Sequence, residues 1–398
     1  MTKRITIVTG QHLTANPRVW KEANALASHG YLVTIYTTWY NQLLITDDRK
    51  LILNSINYFP SFSLIYSWRN ILLVISAKGI KKLANLFFRF FNISSIYQEV
   101  YLPRVQLNRI LAIPADLFIC HQEAGLLLGV QLLKKGKKVA FDFEDWYAEE
   151  SFNKFRSVDL FRVNERYALN HAAYITCPSK TMSIALKEYY KLDRQVSVVF
   201  NSFPIDNIIV NNTQIIPDSM VWFSQTIGPG RGIEAFLIAL REFTAPVEIH
   251  LVGNCSKTFL NQLIQIISNT PHKVFHHPLC KHNQLMQLLQ KFSIGLVLEQ
   301  DYPLNRKYTI TNKILTYLQL NMHVLATLTS GNLELKDRFE DRIAFVDLHN
   351  PRDVEVKLRN LLTSKYVDSE KSLFPKEYTW ESQEKKLISL MLDNVISV

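Results

Sequence analysis

The sequence predicts two doubly wound α/β domains in tandem. Short apolar runs rich in β-branched residues alternate with helical patterns along most of the 398 residues. Continuous apolar runs separated by helices describe parallel strands buried on both faces. Twelve such runs are too many for one open sheet of ordinary size, and a chain of this length fits two or three domains of roughly 150 residues.

The expected strands of the first half are 5–9, 31–37, 116–121, 138–144, 174–179 and 196–202. Those of the second half are 220–226, 247–253, 273–278, 293–299, 323–327 and 342–346. The first helix shows the local logic. Asn16 caps it, Pro17 suits its first turn and Gly30 ends it. Val19, Ala23, Leu26 and Ala27 then recur at helical spacing and pack on the sheet. A polar stretch over 202–217, with two prolines and several asparagines, marks the join between domains.

Composition narrows the class. Nearly half the residues are apolar and only 12 are glycine, which is globular and argues against disorder. Cys120, Cys177, Cys255 and Cys280 are far apart and form no CxxC pair. Neither a zinc knuckle nor a disulfide framework fits, so buried thiols in a reducing cytoplasm are expected. Met1-Thr2-Lys3-Arg4-Ile5 runs straight into a strand without the apolar region of a signal peptide. The longest apolar stretch, 71–77, is too short to cross a bilayer. A cytoplasmic protein is expected, soluble or peripheral at the inner face of the plasma membrane.

The net charge of +10 favours a polyanionic partner. Nucleic acid is disfavoured, because no aromatic RNP-like motif, paired cysteine and histidine ligands or arginine block is present. Anionic lipid and phosphorylated small molecules remain.

The second half carries the more specific pattern. Phe223-Ser224-Gln225-Thr226-Ile227-Gly228-Pro229-Gly230-Arg231-Gly232 follows a strand and precedes a helix over 233–243. Glycines there let the backbone approach a phosphate, and the helix amino terminus adds positive potential. Next come His250-Leu251-Val252-Gly253 and Leu298-Glu299 at strand ends, then Thr311-Asn312-Lys313-Ile314-Leu315-Thr316-Tyr317-Leu318 and His323-Val324-Leu325-Ala326-Thr327.

In this order the segments resemble the donor domain of the GT-B fold, glycosyltransferase family 4 (group 1). Val198-Val199-Phe200-Asn201, Asp116 to His121 and Val139 to Asp145 resemble its amino-terminal domain, and Thr379-Trp380-Glu381 opens a last helix. The resemblance implies two Rossmann-like domains facing across a cleft: 1–203 for the acceptor, 204–376 for the nucleotide-sugar donor, and a helix at 377–398 crossing back. It also implies a retaining, metal-independent hexosyltransferase whose donor is a nucleotide diphosphate sugar, with no separate cofactor, working in cell-surface polysaccharide synthesis.

In an open α/β sheet, ligands bind beyond the carboxyl ends of the strands, where these polar residues stand. Arg231 is assigned to the diphosphate, because a guanidinium holds two phosphate oxygens and stays charged. A surface ion pair is its plain structural role. Gln225 falls where relatives often carry a second basic residue. Gly228, Gly230 and Gly253 bring backbone close to the donor. Thr311, Asn312 and Lys313 open a helix toward diphosphate or sugar, or simply cap it. Glu299 matches the first of two donor-site glutamates in the family. The second is replaced by Thr316, which leaves the ribose without a charge-assisted bond.

In the first domain Glu144 and Asp145 stand close to where relatives have a histidine, and His121 is the other catalytic candidate. The turn holding Gly10, His12, Asn16 and Arg18 is expected to bind acceptor. Loop capping is the alternative for His121. Paired carboxylates also suit glycoside hydrolysis, but a hydrolase has no need of the phosphate features. No Asp-x-Asp motif is present, and no metal is expected.

One segment stands apart. Residues 61–109 are rich in Phe, Ile, Leu, Tyr and Lys/Arg, and 76–91 mixes four basic side chains with four phenylalanines. This composition suits contact with an anionic membrane, or a helix covering the sheet with a solvated basic edge. Two further readings of the whole chain are a silent GT-B partner subunit and a nucleotide-sugar epimerase.

Overall fold

The computed structural model describes residues 2–150, 156–204, 214–364 and 374–395. The join expected over 202–217 lies partly outside them. The chain divides into two units. The first comprises 1–178, 182–199 and 384–398, and the second 179–181 and 200–383.

The first unit holds β1 (Arg4–Val8), β2 (Leu32–Trp39), β3 (Asn57–Ser63), β4 (Leu117–His121), β5 (Val139–Asp142), β6 (Ile175–Cys177) and β7 (Ser197–Val198). They form one sheet in the order β3-β2-β1-β4-β5-β6-β7, with every pairing parallel. The second unit holds β8 (Ile216–Ile227), β9 (Glu248–Cys255), β10 (Lys273–His277), β11 (Phe292–Val297), β12 (His323–Thr327) and β13 (Ile343–Val346). Its order is β10-β9-β8-β11-β12-β13, again parallel. All twelve expected strands are present.

β3 is an addition to the expectation. Its sequence Asn-Tyr-Phe-Pro-Ser-Phe-Ser contains Pro60, which cannot donate to a ladder and usually argues against a strand. It is tolerated because β3 is the sheet edge, and the register with β2 slips between Thr37 and Thr38 beside it.

The helices cover the sheets through apolar faces. In Pro17–Ser28, Asn16 caps by accepting from the Arg18 N–H at 3.1 Å, and Gly30 follows with φ 84°. Val19, Ala23 and Leu26 pack on Ile5, Ile7, Val33 and Ile35 in the first core. The same core takes Ile388 and Met391 from the last helix, Trp380–Val395. In the second unit Ile233, Phe236, Leu237 and Leu240 of the helix Ile233–Leu240 pack on Met220, Trp222, Ile249 and Leu251. Full burial of such side chains contributes about 1.5–3 kcal/mol each.

Each sheet reverses its order once, between β1 and β4 and between β8 and β11. The loops beyond these strand ends are where an open sheet leaves a crevice.

Candidate functional site

At the reversal point of the second unit, β8 leads into the glycine turn. Gly230 and Gly232 have φ of 72° and 85°. A Cβ on Gly232 would fall 2.1 Å from the Leu298 carbonyl oxygen, so only glycine lets the turn lie against the end of β11. Gly253, with φ 145°, approaches Ser224 as closely, since its Cβ would sit 1.8 Å from that carbonyl oxygen. Gly228 has open space around it. Thr226, Gly228, Gly253, Cys255, Phe259 and His276 are among the residues lining a cavity of about 560 Å³ beside the turn.

Charge converges on this turn. The Arg231 guanidinium donates to Ser224 Oγ at 3.3 Å, and Arg306 donates to the Gly230 carbonyl at 2.6 Å. The Gly230 N–H donates to Glu234 at 3.0 Å, so a carboxylate oxygen already occupies one anion-binding direction. Lys313 Nζ lies 2.6 Å from Glu299 Oε1, with both side chains about nine-tenths buried. Burial alone would raise the Glu299 carboxyl. The Lys313 ammonium, with Arg306 and Arg231 beyond it, outweighs burial and holds the group below the usual carboxylate range.

The helix Asn312–Gln319 begins beside this pair. Thr311 stands at its cap position without making a cap bond, and its hydroxyl has no partner among the described residues. Asn312 is half-buried and Gln225 is exposed at the bulge between Phe223 and Thr226. The assignment of Thr316 to the donor needs correction. Its side chain is 1 % exposed on the packed face of the helix, and its hydroxyl faces no solvent. Arg306 was not anticipated. It sits on the short helix Leu304–Tyr308, and the only signal was a cation soon after a strand-end glutamate.

In the first unit the predicted residues come together, but with one another. Arg18 grips Asp142 through Nε and Nη2, each at 2.6 Å, and donates from Nη1 to the Val199 carbonyl at 2.8 Å. Thr176 Oγ1 also donates to Asp142 at 2.7 Å. His121 Nδ1 lies 2.9 Å from Glu144 and 3.3 Å from Asp142, and its Nε2 lies 2.9 Å from Glu22. The last contact is an ion pair by distance, off the line of a good hydrogen bond. Asn16 Nδ2 donates to Glu144 at 2.7 Å.

Burial disfavours the charged imidazole of His121, yet the carboxylates of Asp142, Glu144 and Glu22 around it outweigh burial and raise its pKa well above the usual value. Burial also opposes ionisation of Asp142, and the Arg18 charge overcomes it and lowers that carboxyl. Lys21, in the same network, is shifted well below an ordinary lysine, first by burial and then by Arg18. Glu22, His121 and Asp142 offer atoms within 4.8 Å of one another, a spacing that would suit a metal ion. Arg18 already takes both oxygens of Asp142.

These contacts correct four assignments. His121 is fully buried, with its ring nitrogens facing Glu144, Asp142 and Glu22. Arg18 and Asn16 are 5 % and 3 % exposed and are consumed by the network. His12 is fully buried, its Nδ1 2.5 Å from Asp48 and its Nε2 facing the Tyr40 and Asn41 N–H groups. All four side chains are buried and engaged with other residues of the first unit. Glu144 and Asp145 are partly buried, and Glu144 accepts from Asn16 within the network. Gly10 lines a separate cavity of about 300 Å³ with Tyr40, Glu99, Tyr101 and Gln106.

No protein-family model and no curated protein matches the chain. Solved structures do. HepE from Anabaena, in complex with UDP and glucose, matches at 12 % identity and TM-score 0.65 over 100 % of both chains. A glycosyltransferase from Rickettsia africae matches at 12 % identity and TM-score 0.60, again over 100 % of both. UDP-GlcNAc 2-epimerase from Neisseria meningitidis, bound to UDP-GlcNAc, matches at 9 % identity and TM-score 0.54 over 98 % of this chain and 100 % of that one. With its two parallel sheets, the chain has the two-domain α/β GT-B fold.

Proposed function

We propose that this chain is a glycosyltransferase that moves a sugar from a nucleotide diphosphate sugar to a glycan, lipid-linked or other glycoconjugate acceptor. The observation that supports it most is the set of cations, Arg231, Arg306 and Lys313, around the glycine turn and Glu299 at the reversal point of the second sheet.

In this reading the cavity beside Gly228 and Gly253 takes the nucleoside and the turn takes the diphosphate. Arg231 stabilises charge that builds on the leaving nucleotide as the glycosidic bond breaks, where fixed electrostatics have most effect. Arg306 braces the turn through the Gly230 carbonyl. Glu299, kept ionised by Lys313, accepts hydrogen bonds from sugar hydroxyls. Retention of configuration, metal independence and a place in polysaccharide synthesis follow from the family resemblance.

Calorimetric titration with UDP, GDP, CDP and dTDP tests the reading. One nucleotide is expected to bind, and Arg231→Ala to weaken it about tenfold to a hundredfold, or ~1.4–2.8 kcal/mol. Binding by none favours a silent partner subunit, for which the buried Thr316 in place of a glutamate is the supporting observation. Conversion of the donor without an acceptor would instead indicate an epimerase.

A further inference from the structure

We propose that the helix Ile71–Phe91 is an interfacial docking element that seats the first unit on an anionic lipid bilayer. This inference is independent of the donor site. The helix is 21 residues long, yet only Val74 and Ala77 on it are buried. Leu72, Leu83, Leu86 and Phe90, with the small residues Ser76 and Gly79 between them, recur at helical spacing and so share one face. Leu72, Leu83 and Phe90 on it are 80 %, 54 % and 71 % exposed. A helix that covers a sheet hides its apolar stripe; this one turns it outward.

The charges stand beside that stripe. Lys78, Lys82 and Arg89 follow at the same helical spacing and form an adjacent row. Between residues 61 and 98 there are five cations, Arg69, Lys78, Lys81, Lys82 and Arg89, and no acidic residue. Trp68, 82 % exposed, and Tyr66 flank the amino end, as amphipathic rings do at a membrane interface. No described helix is long and apolar enough to cross a membrane. An apolar face flanked by cations lies in the plane of the interface. A second copy of this chain is a poorer occupant, because the pairing would set cations against cations with no acidic residue of the segment to offset them.

The test is co-sedimentation of the full chain with phosphatidylcholine vesicles, with and without about a third phosphatidylglycerol, at low and high salt. The bound fraction should rise about tenfold with the anionic lipid and fall back in high salt. Lys78→Ala/Lys82→Ala/Arg89→Ala should remove most of the lipid selectivity, and Leu83→Gln/Phe90→Gln should lower binding about tenfold. All five side chains are exposed, and unchanged thermal melting would show that the fold is intact. Wild-type protein left in the supernatant with anionic vesicles overturns the proposal. So does undiminished binding by Leu83→Gln/Phe90→Gln, or a dimer in sedimentation equilibrium that this variant dissolves.

Discussion

Among the glycines of the turn after β8, identity and geometry separate. Their position between strand and helix was legible in the sequence; which of them tolerates a side chain was not, because that depends on a carbonyl far away in the chain. Gly253→Ala should cost about 3 kcal/mol in urea unfolding, since φ is 145° and the new Cβ would meet the Ser224 carbonyl. Gly228→Ala, in open space, should change stability by less than about 0.5 kcal/mol. Equal effects would mean that the turn is not packed as described.

The polar residues after β1 and β4 teach the converse. Sequence shows that His12, Arg18 and His121 stand near strand ends; it does not show that Asp48, Asp142 and Glu22 meet them there. Titration is a further property of the residue scale. Glu165 is buried, accepting from Tyr190 Oη at 2.5 Å and the Ala148 N–H at 3.0 Å, and burial pushes its carboxyl up to about 7. A raised folded pKa contributes stability below the ordinary carboxylate range, near pH 4.5, that is lost as pH rises through about 7. Glu165→Gln should therefore gain ~2–3 kcal/mol relative to wild type between pH 4.5 and pH 8. A pH-independent difference in urea unfolding would contradict this.

At the level of elements, parallel strands buried on both faces announce themselves as apolar runs, which made the inner strands readable, although the edge strand β10 is largely exposed. β3 escaped because its Pro60 reads as a break, and only an edge position with a slipped register accommodates it. The helix Ile71–Phe91 begins five residues before the basic and aromatic stretch that drew notice. Composition pointed there either to contact with an anionic membrane or to a helix covering the sheet. That Val74 and Ala77 would be its buried residues was not legible, because composition does not say which face is covered. Arg306 stayed hidden for a related reason: the segment after Glu299 has no pattern of its own, and only the fold brings it to Gly230.

For the molecule as a whole, two separate apolar cores make unfolding in two transitions the expected behaviour. The last helix assigns its partner unambiguously, since Met391 is 1 % exposed in the core of the first unit although it follows the second in sequence. Met391→Asp should thus lower the first unit's transition, costing about 3–5 kcal/mol, and leave the second unit's unchanged in calorimetry. Two doubly wound sheets were legible from the alternation of elements alone. That the first unit is completed by the end of the chain was legible only through a family resemblance, because amphipathic spacing records that a face is covered and not by what.

Lys81 gives the docking helix a second consequence. On the inner side of Ile71–Phe91, its Nζ donates to the Glu99 carbonyl at 3.2 Å and stands 4.8 Å from the Tyr101 ring centre. Glu99 and Tyr101 both line the smaller cavity of the first unit. A helix resting on a bilayer would then hold that cavity at a fixed height above the headgroups. A molecule anchored in the same leaflet would reach it by lateral diffusion over a surface, at a local concentration set by the lipid and no longer by the bulk solution. Modest intrinsic affinity would then suffice for occupancy, and selection would rest on where a molecule resides as much as on what it is.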